Sequence, residues 1–188
     1  MTSGGPPREA LIYNVAGLLG EPTGSSRTFR IAGVMLDLGA DLAQADPVEG
    51  SVRVARTNRG VLVTGRLTTG LAEACARCLR DIEVPLTVTL EEEVLPSVDI
   101  ATGLPVDTAV EPDVPRLTDH HELELEPLVR EAIQLAEPIA PLCREDCPGL
   151  CVVCGAELET GPHQHDEEID PRLEALRAFT VDGEARTH

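Results

Sequence analysis

The clearest pattern along the chain is a strict alternation. Ile82, Val84, Leu86, Val88 and Leu90 alternate with Glu83, Pro85, Thr87 and Thr89, a period of two that predicts a half-buried strand. Pro85 has no N–H to give to a ladder, so this strand belongs at a sheet edge or in a bulge. Ser51 to Arg56 alternates in the same way, Asn58-Arg59-Gly60 reads as a turn, and Val61 to Leu67 returns as a strand. Together they predict a hairpin. Shorter strands are expected over Leu11–Val15 and Phe29–Val34, with a turn-rich stretch, Gly17–Ser26, between them. Farther on the period changes. Leu125, Leu128, Val129, Ala132, Ile133 and Ala136 fall on one face of a helix. Pro127 suits its first turn, Glu122, Glu124 and Glu126 suit the positive end of its dipole, and Pro138 and Pro141 stop it. Asp170 and Pro171 open a second short helix that runs to about Phe179.

These elements define an α+β fold: an antiparallel β-sheet, a packed amphipathic helix, and a Cys-rich C-terminal segment resembling a zinc knuckle. The expected division is a mainly β region over 1–90 and an acidic, Pro-containing linker over 91–122. The third part, 123–188, holds the helix and the Cys-rich segment packed on the β region.

Charge sharpens this division. The formal net charge is -18, and all 15 basic residues are arginine. Residues 1–80 carry nine arginines against seven acids, a net of +2. Residues 81–188 carry six against 26, a net of -20. Such a chain does not coat nucleic acid through a broad electrostatic footprint. Its only aromatics, Tyr13, Phe29 and Phe179, give no stacking platform for bases. No apolar run reaches the ~18–20 residues of a membrane span. Met1 to Arg8 lacks the order of a signal peptide, so a cytoplasmic protein without a membrane partner is expected.

The six cysteines form three close pairs: Cys75/Cys78, Cys143/Cys147 and Cys151/Cys154. In a reducing compartment such pairs indicate metal or redox chemistry rather than disulfides. A C-x2-C turn brings two thiolates to one ion, and zinc takes four soft ligands at tetrahedral corners. His163 and His165, alternate residues of an extended segment, can complete a mixed site with Cys151 and Cys154. Cys75 and Cys78 would then join Cys143 and Cys147 in an all-thiolate site. Another partition joins Cys75/Cys78 to Cys151/Cys154 and leaves Cys143/Cys147 as a thiol pair. Either way one or two structural zinc ions are expected, with no open catalytic position.

Two catalytic motifs fit poorly. His120-His121-Glu122 matches the H-x-E of zinc deaminases, but Leu150 stands where that signature has the proline before its first cysteine. Cys75-Ala76-Arg77-Cys78 has thioredoxin-like spacing without the βαβ context. No enzyme is expected, and a cytosolic thiol or zinc redox switch is the alternative reading.

At Cys75-Ala-Arg-Cys78-Leu79-Arg80 and at Pro141-Leu-Cys-Arg-Glu-Asp-Cys-Pro-Gly-Leu-Cys-Val-Val-Cys-Gly155 the sequence resembles the YceD family. These are bacterial and plastid proteins described as large ribosomal RNA subunit accumulation proteins. Ile169 to Leu173 and the helix before the cysteine cluster are similar to the family as well. Many relatives have C-x-C where this chain has His163-Gln164-His165, an exchange that zinc tolerates. The resemblance implies a non-enzymatic role in 23S rRNA accumulation and large ribosomal subunit assembly. Two contacts are compatible with the charge: rRNA touched locally through Arg53, Arg56, Arg59 and Arg66, or a basic ribosomal protein or subunit precursor held by the acidic half. The second is the preferred expectation.

Overall fold

The computed structural model describes residues 11–107, 109, 111–161, 164, 165 and 172. The second expected helix, Asp170 to Phe179, lies outside the described residues but for position 172. The chain divides into two compact units, Met1–Cys147 and Pro148–His188, and each is described by itself.

The first unit is α+β. Its main sheet is a four-stranded antiparallel meander, in the order β2 (Ser26–Val34), β3 (Ala43–Arg56), β4 (Val61–Ala74) and β5 (Asp81–Val94). A second, two-stranded sheet pairs β1 (Ile12–Asn14) with β6 (Glu122–Glu124). Two helices, α1 (Ala16–Leu19) and α2 (Glu126–Ala136), complete the unit. The hairpin expected around Asn58 forms, with Val54 opposite Val63. As expected for its proline, β5 is an edge strand of the sheet.

Three elements differ from the sequence expectation. The central strands are longer, because β3 starts at Ala43 and β4 ends at Ala74. Register shifts around Asp46, next to Pro47, interrupt the period of β3. Gln44 fills that irregularity: its amide donates to the Thr69 hydroxyl at 3.0 Å and the Asp46 carbonyl at 2.7 Å. Second, Glu91, Glu92 and Glu93 belong to β5, where they lie opposite Thr64, Val63 and Leu62, so the strand continues past the expected start of the acidic segment. Third, Glu122 and Glu124 are strand residues paired with Asn14 and Ile12, and only Glu126 stands in the first turn of α2. The Val15 N–H donates to His121 O and the Leu125 N–H to Leu11 O, so the short ladder runs directly into the helix.

Helix α2 places Leu128, Val129 and Ile133 in the core with Val88, Leu90 and Val94 of β5. It ends where Glu137 turns extended (ψ 127°) before Pro138, the conformation a following proline imposes. The acidic segment after β5 is anchored by Leu95 and Leu117, both buried, through Leu95 N–H to Pro115 O and Leu117 N–H to Leu95 O, each 2.9 Å. Within it the Asp99 carboxylate accepts from the Thr102 hydroxyl and from the N–H groups of Thr102 and Ala101. These bonds hold its carboxyl below the ordinary value.

The β3–β4 turn leaves no space beside Gly60: a Cβ there would stand 2.2 Å from the Val94 carbonyl oxygen. Gly60→Ala is therefore expected to lower stability by about 1–3 kcal/mol, the cost of an overpacked site that shifts backbone. A urea titration reads this as a lower midpoint, and an unchanged midpoint would contradict the close approach.

Candidate metal centre

Each C-x2-C pair sits in a turn with one shared backbone pattern. In the first, the Cys75 N–H donates to Arg80 O (2.8 Å) and the Leu79 N–H donates back to Cys75 O (2.9 Å). In the second, the Cys151 N–H donates to Ala156 O and the Gly155 N–H to Cys151 O, both 2.8 Å. The fourth residue after the first cysteine is left-handed in both: Leu79 at φ 58° and Gly155 at φ 72°. Glycine takes that conformation without strain, whereas leucine has a Cβ to accommodate. The two turns thus share one backbone geometry built from different residues, and Gly155 is what makes the second recognisable in the sequence.

In the first unit the Cys75–Cys78 turn joins β4 to β5, so the longest ladder of the sheet fixes its direction. The segment after α2 meets it there. The Ala76 N–H donates to Pro141 O at 2.8 Å, and the Arg77 guanidinium donates to Cys147 O at 3.0 Å. This brings Cys75, Cys78, Cys143 and Cys147 together, with all four sulfurs within 4.8 Å of one another. The Cys75–Cys147 and Cys78–Cys143 sulfur pairs are 3.8 Å apart. A disulfide is about 2.05 Å, so these are thiols. A tetrahedral ion with metal–sulfur bonds of about 2.3 Å requires sulfur–sulfur edges of about 3.8 Å. The cluster therefore has the donor type and the spacing of a tetrathiolate site and can hold a metal ion. Cys75 and Cys147 are buried, Cys78 and Cys143 half-buried.

The acid–base behaviour of the four thiols follows from the same packing. N–H groups of Cys78 and Cys143 hold the Cys75 thiol down to about 6. The Cys147 thiol, then burial, pushes Cys143 up to about 12. Cys78 is lowered by the Arg80 N–H but raised on balance by burial and by the Cys75 and Cys147 thiols. Four sulfurs this close cannot all be anions without a cation among them.

In the second unit Cys151, Cys154 and His165 converge within 4.8 Å, with Cys151 Sγ 3.3 Å from His165 Nε2. The Val153 N–H points to Cys151 Sγ at 3.4 Å. His163 lies outside the described residues. The His120-His121 motif leads into β6 rather than into the helix, and the His121 backbone carbonyl serves the β1–β6 ladder. The Cys75–Cys78 turn sits in a β-hairpin, not a βαβ unit.

The arginines expected to face RNA differ in their engagement. Arg56 donates to the carbonyls of Leu19, Thr57 and Gly60. Arg59 pairs with Glu93 and Glu111, whereas Arg53 and Arg66 are exposed on strand faces.

A small α+β protein whose sheet turn carries half of a thiol cluster, with the other half following its helix, is a scaffold with a candidate structural metal site. The chain belongs to the YceD family: residues 63–180 match the family described as large ribosomal RNA subunit accumulation protein YceD. It is 39% identical over 125 residues to an uncharacterized protein of Mycobacterium tuberculosis strain H37Rv, covering 66% of this chain and 58% of the relative. It is 36% identical over 126 residues to an uncharacterized protein of Mycobacterium leprae, covering 66% of this chain and 55% of the relative. The matched part thus spans somewhat over half the length of these relatives. No solved structure matches the chain. Among the described residues, no helix is long and apolar enough to cross a membrane.

Proposed function

We propose that this protein is a non-enzymatic factor supporting 23S rRNA accumulation and large ribosomal subunit assembly. The observation that carries the reading is family membership across residues 63–180. A structural zinc ion held by Cys75, Cys78, Cys143 and Cys147 would fix the segment after α2 to the β4–β5 turn. Four protein thiolates fill a tetrahedral ion completely and leave no position for substrate or water, which supports a structural rather than a catalytic role. Cys151, Cys154 and His165, with His163 as the fourth ligand, are the proposed second site.

The -20 half of the chain supports a basic ribosomal protein, or a large-subunit precursor bearing one, as the partner. Any direct rRNA contact falls to Arg53 and Arg66, because the Arg56 and Arg59 side chains are already engaged. A cytoplasmic location follows from this role. The redox-switch alternative finds less support at the first cluster, where Cys75 and Cys147 are buried, and would act most readily through the exposed Cys154. Depletion of the protein is expected to lower 23S relative to 16S rRNA, and native purification is expected to recover large-subunit precursors or a basic large-subunit protein. Unchanged rRNA ratios and subunit profiles in a deletion strain would refute the reading.

A further inference from the structure

The ladder of β4 and β5 pairs residue for residue from Ala74/Asp81 to Val61/Val94. Just beyond its first rung, Cys75 N–H donates to Arg80 O. Antiparallel pairs alternate, so even-numbered residues of β5 exchange hydrogen bonds with β4 and odd-numbered ones turn their N–H and C=O outward. Leu95 obeys the rule: its N–H goes to Pro115 and its C=O accepts from Leu117, both on the outer side. Pro85 obeys it too, because its missing N–H falls on the open edge. Between Pro85 and Leu95 lie Thr87, Thr89, Glu91 and Glu93, and among the described residues no backbone partner meets their outward groups.

Alongside this edge runs a groove of about 270 Å³ between β5 and α2. Thr87 and Thr89 line one side, and the helical stripe Leu128, Ala132 and Leu135 lines the other. Leu135 is 81% exposed, an apolar side chain standing over open backbone. Glu92 and Glu131 also face the groove, and Glu83, Glu91 and Glu93 lie along the same strand.

We propose that the β5 edge is a docking site for an extended basic segment of a partner protein, which adds as a fifth strand and rests its side chains against α2. This deepens the proposed function and rests on its basic partner. Edge-strand addition obtains affinity from main-chain hydrogen bonds and specificity from pockets for alternate side chains. Within the window, Glu91 on the strand and Glu92 and Glu131 at the groove select cationic residues, while Glu83 lies beyond Pro85 and Glu93 is already paired with Arg59. This acidic lining disfavours a second copy of this chain, which would bring Glu91–Glu93 against the same residues on a molecule of net charge -18. The other sheet edge, β2, carries Arg27 and Arg30 and repels the same ligand. The segment Pro115–Leu117 closes the far end at Leu95, and Pro85 limits the near end, so the window is short.

The probe is a fluorescein-labelled peptide amide of alternating arginine and valine, seven residues long, titrated into the full chain. Binding is expected, with hydrogen-exchange protection gained at the amides of Thr87, Thr89 and Glu91. Thr89→Pro removes one outward donor without touching the β4 ladder or the charge, and is expected to weaken binding about tenfold. Peptide binding without protection at these amides would overturn the edge while leaving a basic partner in place. Absence of peptide binding by a protein that still co-purifies with large-subunit precursors would overturn the edge alone. Loss of both would overturn the proposed function with it.

Discussion

Cys75→Ser is expected to reduce bound zinc by one ion per chain and to free the segment from Glu137 to Cys147 for proteolysis. Structural zinc contributes on the order of 10–16 kcal/mol in small zinc-dependent folds, where the metal is the core. Here the sheet has its own core: Val48, Val52, Val54, Val61, Val63, Leu67 and Leu71 are all buried. The loss should therefore be local. The circular dichroism signal of the sheet should persist while the segment after α2 detaches. Among the described residues the hydrogen bonds that tie it to the β4–β5 turn are Ala76 N–H to Pro141 O and those from the Arg77 guanidinium to Cys147 O and, longer, to Glu145 O, each worth about 1 kcal/mol or less in a partly exposed setting. Unchanged zinc content, or unchanged cleavage between 137 and 147, would contradict the assignment.

Acidification is expected to weaken zinc binding at the proposed four-cysteine site steeply. In the metal-free fold Cys75 ionises at about 6, but Cys143, pushed up to about 12, and Cys78, raised on balance, carry protons near neutrality. Zinc must displace at least those two protons, so its affinity falls at least about a hundredfold per pH unit below neutrality. Below about 6 the Cys75 sulfur is protonated as well, and the dependence steepens. The sign is that of competition between metal and protons: affinity rises with pH and is lost as pH falls. Zinc affinity measured with a competing chelator from pH 8 to pH 6 reads the slope. A slope near zero would show that the thiols are not the ligands.

The parts of the fold that the sequence revealed are those whose burial follows a simple period. Ile82 to Leu90 and the Leu125 to Ala136 stripe face the core at one periodicity each, so their positions in β5 and α2 were readable. The ends of strands were not. Thr68-Thr69-Gly70 breaks the alternation of β4 because Thr69 is buried against the Asp46 carbonyl, a contact 23 residues distant. Glu91–Glu93 read as solvated because charge conceals a strand whose backbone is paired on one side. β6 is three residues long and exists through its pairing with Ile12–Asn14, more than a hundred residues away.

The candidate site was legible to a similar degree. Cysteine spacing indicates which thiols form turns, but not which turns meet. That depends on the length of α2 and on the Pro141 carbonyl reaching the Ala76 N–H. The shared turn geometry was half visible: Gly155 signals a left-handed position, while Leu79 takes the same conformation with no sequence signal. Arg56 looked like its neighbours Arg53 and Arg59, and only the carbonyls around it show that its role is to hold the β3–β4 turn.

The most direct test of the metal centre is X-ray absorption at the zinc edge on protein carrying Cys151→Ser and Cys154→Ser, so that the site of the first unit is observed alone. Four sulfur neighbours at about 2.3 Å are predicted. A zinc ion with nitrogen or oxygen neighbours in place of sulfur, or a folded protein that binds no zinc, would contradict the account.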